Sequence, residues 1–274
     1  MIIIIQCKDR VGLVADISAI LSEAGLNIIS MREHVDKAGE RFFMRLEVDG
    51  TTDEVALEKS MEQVLPEGAL IHVNPVPDKK IVVMVTREYH CLADILIRNS
   101  FGTLGAEVLC VIGNHSILQK ICERFDIPFY LIPYHEEKAV SEREIIHKIN
   151  SYNPDFIVLA KFMRILSPAF VASFPNKVIN IHHSFLPAFA GANPYRQAFE
   201  RGVKLIGATA HFVTDELDEG PIIAQQIIPV NHSFTAADMV KSGKEIETAV
   251  LAKALRLVLN DRVFVYQNKT VVFE

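Results

Sequence analysis

The chain of 274 residues lacks three features that would assign it to a membrane, a nucleic acid or the secretory pathway. No apolar run approaches the ~20 residues that a membrane-spanning helix requires. There is no Lys/Arg-rich run, and the net charge is −6, which disfavours a nucleic-acid or membrane-surface partner. The N-terminus has no basic segment followed by a long apolar region, as a secretion signal would have. We therefore expect a soluble, cytoplasmic protein.

Cysteine is scarce, and its spacing disfavours two of its common roles. Cys7, Cys91, Cys110 and Cys122 lie among apolar residues and form no C-x-x-C pair. They are predicted to be core thiols in a reducing compartment, not disulfides or zinc ligands. Half of the residues are apolar, which is enough to bury a sizeable core in one large or two smaller domains.

Residues 1–76 predict a small α/β domain with the ferredoxin-like order βαββαβ. In its third strand, alternation of apolar and mostly polar residues predicts an antiparallel sheet with one buried and one wet side. Thr51 and Glu54 form a predicted capping box for the second helix. The predicted elements are a strand over 1–7, a helix over 13–24, strands over 26–32 and 40–48, a helix beginning near 54 and a strand over 70–73.

With the motif Asp9-Arg10-x-Gly12-Leu13, this segment resembles the ACT regulatory domain, an amino-acid-binding module. The resemblance implies an amino-acid effector, with glycine or methionine as candidates, and a homo-oligomer. Backbone N–H groups near Gly12, at the N-terminus of the first helix, would hold a carboxylate, and Asn27 matches a second polar contact. The alternative is that Gly12 only forms a turn, Asn27 only follows the helix, and the domain serves assembly.

Residues 79–274 form the second predicted domain, after a linker marked by Pro75-Val76-Pro77-Asp78-Lys79-Lys80. Strands and helices alternate here, which predicts a Rossmann-like, mostly parallel sheet with helices on both faces and a ligand site at the carboxyl ends of its strands. Ser141 and Glu144 form a predicted capping box. Strands are predicted over 80–85, 106–113, 129–132, 156–160, 178–181, 205–212 and 222–229, helices over 92–101, 116–125, 141–152 and 245–260, and a terminal hairpin over 263–273.

Asn180, His182 and Asp218 supply a neutral hydrogen-bond donor, an imidazole and a carboxylate. Together they can stabilise an oxyanion, transfer a proton and orient the group that transfers it, as cleavage of an acyl C–N bond requires. A metal site at His182, His183, His211 and Asp218 is the alternative, but adjacent histidines on a strand suit a shared ligand set poorly. His211 is expected in the core or behind the catalytic groups.

Four motifs in order make residues 80–260 similar to the folate-dependent formyltransferase catalytic domain. The resemblance implies no metal and no cofactor beyond the folate substrate, 10-formyltetrahydrofolate. It assigns catalysis to Asn180, His182 and Asp218, and binding of the pterin ring to Met163, Arg164, Ile165, Leu166, Val213, Thr214, Asp215 and Glu216. The motifs are Lys161-Phe162-Met163-Arg164-Ile165-Leu166-Ser167-Pro168, Asn180-Ile181-His182-x-Ser184-x-Leu186-Pro187, Gly207-Ala208-Thr209-x-His211-Phe212-Val213 and Leu217-Asp218-x-Gly220.

The acceptor of the formyl group is predicted from residues 86–92. Glycinamide ribonucleotide transformylases have a glycine-rich phosphate-binding turn there, whereas this chain has no glycine and places Glu88 where it would repel a phosphate. An ACT-like domain before this catalytic domain resembles the formyltetrahydrofolate deformylases. The resemblance implies hydrolysis to tetrahydrofolate and formate, within one-carbon metabolism and purine biosynthesis. The alternatives are formyl transfer to an amine and an amino-acid sensor with a vestigial catalytic domain. Tyr195 and Gln197, after the Gly191-Ala192-Asn193-Pro194 turn, are expected at the surface.

Overall fold

The structure is a computed structural model that describes residues 1–74, 79–135, 137–187 and 194–274. Residues 75–78 of the predicted linker and most of the predicted turn at 191–194 lie outside the described residues. The other two linker residues, Lys79 and Lys80, are instead the first residues of a strand. The chain divides into two compact units. The first contains residues up to 74 with Asn260–Phe264 and Val271–Glu274, and the second contains the described residues from 79 to 259 with Val265–Thr270.

The first unit has the predicted βαββαβ order. Its antiparallel sheet has the strand order β2-β3-β1-β4. The Ile-rich β1 is a central strand, so its side chains are buried on both faces. The elements are β1 Ile2–Lys8, α1 Leu13–Glu23, β2 Asn27–Asp36, β3 Arg41–Asp49, α2 Glu54–Val64 and β4 Leu70–Asn74.

One face of β3 differs from the prediction. Met44 and Leu46 belong to the buried core between sheet and helices, as expected. The opposite face was predicted to be wet, yet Phe43 and Arg45 are 0% and 5% exposed. Residues from the end of the chain cover it within the same unit: the Phe264 ring packs edge-on at 5.7 Å from Phe43, and Arg45 Nε donates to the Asn260 carbonyl. Alternation along one strand cannot reveal a cover supplied more than 200 residues later.

The second unit is a mixed sheet with helices, in the strand order β11-β10-β9-β8-β5-β6-β7. Strands β9, β8, β5, β6 and β7 are parallel neighbours, and β10 is antiparallel to both β9 and β11. The elements are β5 Lys79–Val85, α3 His90–Ser100, β6 Ala106–Gly113, α4 Gln119–Glu123, β7 Phe129–Leu131, α5 Lys138–Tyr152, β8 Phe156–Leu159, α6 Pro168–Ser173, β9 Val178–His182, α7 Pro194–Arg201, β10 Leu205–Phe212, β11 Ile222–Pro229, α8 Ala236–Leu259, β12 Val263–Tyr266 and β13 Lys269–Val272.

This strand order fixes where a ligand can bind. The chain moves outward from β5 to β6 and β7 and then returns to the other side of β5 at β8. Between β5 and β8 the direction of progress reverses, and loops leave the carboxyl ends of these strands on opposite sides, which opens a crevice. The fold is therefore the predicted mostly parallel α/β sheet. Among the described residues, none of the helices is both long and apolar enough to span a bilayer.

Both predicted capping boxes are wrong. Helix α2 begins at Glu54, and its cap is Asp53, whose Oδ1 accepts from Ala56 N at 3.0 Å. Helix α5 begins at Lys138, so Ser141 lies inside it and bonds the preceding loop instead, accepting from His135 N and donating to Pro133 O. A serine hydroxyl binds whichever backbone group is nearest, and spacing alone does not identify that group.

Helix α8 begins nine residues before the predicted start at 245. Thr235 and Asp238 cap each other's backbone N–H groups at its N-terminus. Gly243 obscured this in the sequence, because a mid-helix glycine lowers helix propensity. The glycine is needed for packing, since a Cβ there would lie 2.1 Å from the Tyr195 ring. Helices α6 and α7 were not predicted, and Tyr195 on α7 is 7% exposed, not at the surface as expected.

Candidate active site

Adjacent segments of the second sheet bring four polar side chains together at the carboxyl end of β9. Asn180 and His182 are two residues apart on that strand and therefore point to the same side of the sheet. His211, on the neighbouring β10, lies opposite Asn180 in the antiparallel ladder. Asp218 follows β10 in the loop to β11. Strand pairing thus assembles a site from residues distant in sequence.

Asp218 lies between two imidazoles. Its Oδ2 is 3.2 Å from His182 Nδ1, and its Oδ1 is 3.8 Å from His211 Nε2. His211 Nε2 is in turn 3.2 Å from Asn180 Nδ2. The structure thus joins the three residues predicted to be catalytic, Asn180, His182 and Asp218, through a fourth, His211.

Hydrogen bonding determines the state of His211. Its Nδ1 is 2.9 Å from the Phe212 carbonyl, which can only accept, so Nδ1 carries the proton. Burial lowers the pKa of His211, so the ring is neutral and Nε2 is an acceptor. Asn180 Nδ2 must therefore donate to it. This fixes the orientation of the Asn180 amide and leaves its second N–H for a ligand.

Asp218 is ionised at neutral pH. Burial favours a higher pKa, but the hydrogen bond with His182 and the electrostatic attraction of its ring hold the pKa of Asp218 below its ordinary value. The carboxylate therefore accepts from His182 Nδ1–H. His182 Nε2 is buried and makes no hydrogen bond to any described residue, so it is available to a reacting group. This is the arrangement of an acid/base imidazole oriented by a carboxylate.

A cavity of about 270 Å³ adjoins these groups. Its walls come from the loops after β8 and β10, as the resemblance implied. Met163 and Ile165 are more than half exposed at its edge and offer apolar surface for a flat ring. Asp215 does not line the cavity, unlike the other predicted binding residues. The residues from those predictions that line it are Met163, Arg164, Ile165, Leu166, Val213, Thr214 and Glu216.

The loop after β8 is held in place by hydrogen bonds to residues outside it. Thr86, the residue after β5, accepts from Met163 N at 2.9 Å. The buried carboxylate of Glu142 on α5 accepts from the backbone N–H and the hydroxyl of Ser167 and from Tyr134 OH. The Arg164 guanidinium lies 5.4 Å from the centre of the Tyr134 ring. The binding loop is therefore held by buried polar contacts.

A second cavity, of about 250 Å³, adjoins the first and shares Lys161, Met163 and His183 with it. At its base Glu247 of α8, 1% exposed, binds groups from three other segments. Its Oε2 is 2.8 Å from His90 Nε2 and 3.1 Å from Lys161 Nζ, and its Oε1 accepts from Tyr195 OH at 2.8 Å. We call Glu247, His90, Lys161 and Tyr195 the Glu247 cluster.

The Glu247 cluster sets the charge beside His182 and His183. Burial opposes ionisation of Glu247, but His90, Lys161 and Tyr195 lower its pKa to about 2. His183 next to it has a pKa lowered to about 4, by burial and by the charges of Lys161 and His182, and is neutral at pH 7. Sequence reasoning missed Glu247. Its signal was an acid at the helical spacing of inward-facing Gly243 and Val250.

Within the described part of the chain, His90, Cys91 and Glu247 form a group whose ligand atoms lie close enough to hold a metal ion. Two observations argue against metal binding by this group. The Lys161 ammonium already occupies Glu247 Oε2, and burial raises the pKa of Cys91 well above its ordinary value, which disfavours the thiolate that a metal requires.

In the first unit, a cavity of about 560 Å³ lies at the N-terminus of α1, where no side chain caps the helix. Asp9, Gly12 and Leu13 line it, as does Glu33. Asn27 does not. Asn27 pairs with Asp49 of β3, whereas the end of β1, next to this cavity, pairs with Arg41 of β3. Eight residues of β3 separate Asp49 from Arg41, so Asn27 lies about 26 Å along the sheet from the end of β1. Within one chain the four predicted effector residues therefore do not form one site.

Comparison with known proteins agrees with both units. A family model for the ACT domain matches residues 1–60, and one for formyl transferases matches residues 79–255. Formyltetrahydrofolate deformylase from Escherichia coli (strain K12) is 51% identical over 268 residues, which are 97% of this chain and 95% of that protein. The chain belongs to the formyltetrahydrofolate deformylase family.

Solved structures agree with that family. The crystal structure of a formyltetrahydrofolate deformylase from Pseudomonas syringae matches with a TM-score of 0.95 and 41% identity, covering 100% of this chain and 94% of that chain. Glycinamide ribonucleotide transformylase 1 from Symbiobacterium toebii matches with a TM-score of 0.69 and 28% identity, covering 72% of this chain and 95% of that one. The deformylase structure thus matches both units, whereas the transformylase match leaves out more than a quarter of the chain.

Proposed function

We propose that this chain hydrolyses 10-formyltetrahydrofolate to tetrahydrofolate and formate. The observation that carries the proposal is His182, oriented by ionised Asp218 and with Nε2 available, in a cavity that Asn180 also lines. The relatives named formyltetrahydrofolate deformylase, which align with nearly the whole chain, support the substrate. A sensor with a vestigial catalytic domain would not need these three residues to line one cavity.

In the proposed mechanism, water attacks the formyl carbon while its proton passes to the Asp218–His182 pair. The new C–O bond places negative charge on the formyl oxygen, and the free N–H of Asn180 stabilises it; one such donor is typically worth ~3 kcal/mol. The intermediate then collapses, the C–N bond breaks, and the proton held by the pair is delivered to N10 of the leaving tetrahydrofolate. Formate is the other product. No metal and no cofactor beyond the folate takes part.

The charges in the second cavity favour water over a phosphate-bearing amine as the acceptor of the formyl group. Each of its cations already has a carboxylate partner: Lys161 has Glu247, Lys244 has Glu88 at 2.7 Å, and Arg196 has Glu200. A phosphate entering here would have to displace one of these carboxylates or lie beside it. The buried His90 Nδ1, which lacks a hydrogen bond to any described residue, is a group that water can satisfy.

The test is incubation with 10-formyltetrahydrofolate in the presence of a metal chelator and without any amine. We expect formate and tetrahydrofolate to form in equal amounts. Efficient formyl transfer to glycinamide ribonucleotide, with only trace formate in its absence, would instead establish the transferase alternative.

For the first unit we propose an amino-acid effector, glycine or methionine. The uncapped N-terminus of α1 offers N–H groups to its carboxylate, and the carboxylates of Asp9 and Glu33 in the same cavity suit its ammonium. Assembly into a homo-oligomer and a cytoplasmic location, both expected from the sequence, are part of the same proposal.

A further inference from the structure

The loop that carries Asp218 is strained and tightly packed on its inner side. Asp218 has φ 58°, a left-handed conformation that costs a residue with a Cβ about 1 kcal/mol or more. A Cβ on Gly220 would lie 1.8 Å from the Phe212 carbonyl oxygen. Phe212 N donates to Pro221 O at 2.9 Å, which ties this side of the loop to β10. Such a conformation persists only where neighbouring contacts hold it.

The outer side of the loop is held by the tip of the β12–β13 hairpin, within the same compact unit. Asn268 Nδ2 donates to the Glu219 carbonyl at 2.9 Å. Thr270 Oγ1 donates to the Ile222 carbonyl at 2.5 Å. The two bonds lie on either side of Gly220-Pro221. The first fixes the peptide group between Glu219 and Gly220, one residue after Asp218.

The hairpin turn does not itself explain Asn268. Asparagine is favoured in tight hairpin turns because it tolerates positive φ. Here Gln267, not Asn268, takes the positive φ, of 53°. The side chain of Asn268 is therefore free of that local role, and it contacts the loop that carries Asp218.

We propose that Asn268 and Thr270 are positioning residues for Asp218, and that the hairpin tip, Val265–Thr270, is thereby part of the active-site framework. The inference rests on the proposed function in that Asp218 orients His182. When the two bonds are lost, the Glu219 peptide can rotate and Asp218 can leave its left-handed conformation. The 3.2 Å contact between Asp218 Oδ2 and His182 Nδ1 then lengthens.

The test compares variants of the full chain that differ by single hydrogen bonds. Thr270→Val removes the hydroxyl and keeps the shape, whereas Thr270→Ser keeps the hydroxyl; Asn268→Ala removes the other donor. Lys269→Gln, at an exposed position between them, is the matched control. We expect kcat to fall ~10-fold in Asn268→Ala and Thr270→Val, as small misplacements of catalytic groups do. We expect KM to change less than threefold and Thr270→Ser to recover wild-type kcat.

Amide hydrogen exchange gives a second readout that does not require activity. We expect faster exchange over residues 215–222 in Asn268→Ala and Thr270→Val, and wild-type exchange in Thr270→Ser and Lys269→Gln. Unchanged exchange and unchanged kcat in the two damaging variants would overturn the proposal. So would a loss of kcat in Thr270→Ser equal to that in Thr270→Val, which would indicate a shape effect. A wild-type chain that releases no formate would instead refute the proposed function and leave the exchange result to decide this inference.

Discussion

At the residue scale, two imidazoles beside one carboxylate have different roles because their second nitrogens meet different groups. His211 Nδ1 donates to a backbone carbonyl, which fixes the tautomer, and burial keeps the ring neutral, so Nε2 accepts from Asn180. His182 Nδ1 faces Asp218, and its Nε2 has no partner among the described residues. His211 is therefore suited to orient the amide and His182 to transfer a proton. Both residues are histidines, and their different hydrogen-bond partners determine which role each one has.

Asp218→Asn is the most direct test of this division. An amide cannot accept a proton from water and cannot stabilise a protonated His182, so we expect kcat to fall at least ~10²-fold. Folate binding should stay within a few-fold of wild type, because the apolar wall at Met163 and Ile165 is unchanged. Single-turnover kinetics and binding of 5-formyltetrahydrofolate measure the two effects separately. A folded variant with near wild-type turnover would remove Asp218 from the mechanism.

At the element scale, Glu247 links α8 to α3, α7 and the loop after β8. Because its folded pKa is about 2, below the ordinary 4.5, ionised Glu247 stabilises the fold at pH above 4.5. That contribution is lost as the pH falls from 4.5 towards 2. This pKa difference corresponds to about 3 kcal/mol of the free energy of unfolding. Removing the charge would also leave Lys161 buried beside a neutral partner.

We therefore expect Glu247→Gln to lower the free energy of unfolding by about 3 kcal/mol at pH 7. The difference from wild type should shrink as the pH falls below 4.5, because wild type loses the contribution that the variant already lacks. Urea unfolding at pH 7, 4.5 and 3 measures it. Glu200→Gln breaks an exposed ion pair with Arg196 and should cost less than ~1 kcal/mol at each pH. Equal costs for the two variants would contradict a structural role for the Glu247 cluster.

Glu88, just before α3, gives a prediction about the acceptor. In Glu88→Gln, Lys244 loses the carboxylate at 2.7 Å and becomes an unpaired cation at the second cavity. An exposed pair of this kind is worth up to ~1 kcal/mol, so we expect the inhibition constant of inorganic phosphate to fall ~5-fold. Asp94→Asn removes a carboxylate from α3 beside Arg98, outside this cavity, and should not change it. Equal phosphate inhibition of wild type and Glu88→Gln would contradict charge-based exclusion.

The sequence predicted elements well where their signals are local. The βαββαβ order and most strands of the second sheet follow from apolar periodicity and are confirmed. The failures involve distant partners: Phe43 is buried by Phe264, and Gly243 makes room for Tyr195. Asn180, His182 and Asp218 could be named from motifs. The Glu247 cluster could not, because its members come from four elements that only the strand order brings together.

At the scale of the whole molecule, the chain joins an amino-acid-binding type of domain to a catalytic one, so an effector should change the rate from a distance. The cavity at α1 offers both groups that an α-amino acid needs, N–H donors near Gly12 and carboxylates at Asp9 and Glu33. A coupling free energy of roughly 1–3 kcal/mol between the sites would change the catalytic rate or folate affinity about 5- to 150-fold. We expect the effect with glycine or methionine.

Calorimetry and rate measurements on the full chain test this together. Glycine should bind, whereas glycinamide, which lacks the carboxylate, and N-acetylglycine, which lacks the ammonium, should bind at least ~10-fold more weakly, because each loses one charged contact. Glu33→Gln should weaken glycine binding and the rate response in parallel, and Glu23→Gln, an exposed acid at the other end of α1, should change neither. If neither glycine nor methionine at millimolar concentration gives heat or a rate change, the first unit serves assembly, and Gly12 is only a turn residue.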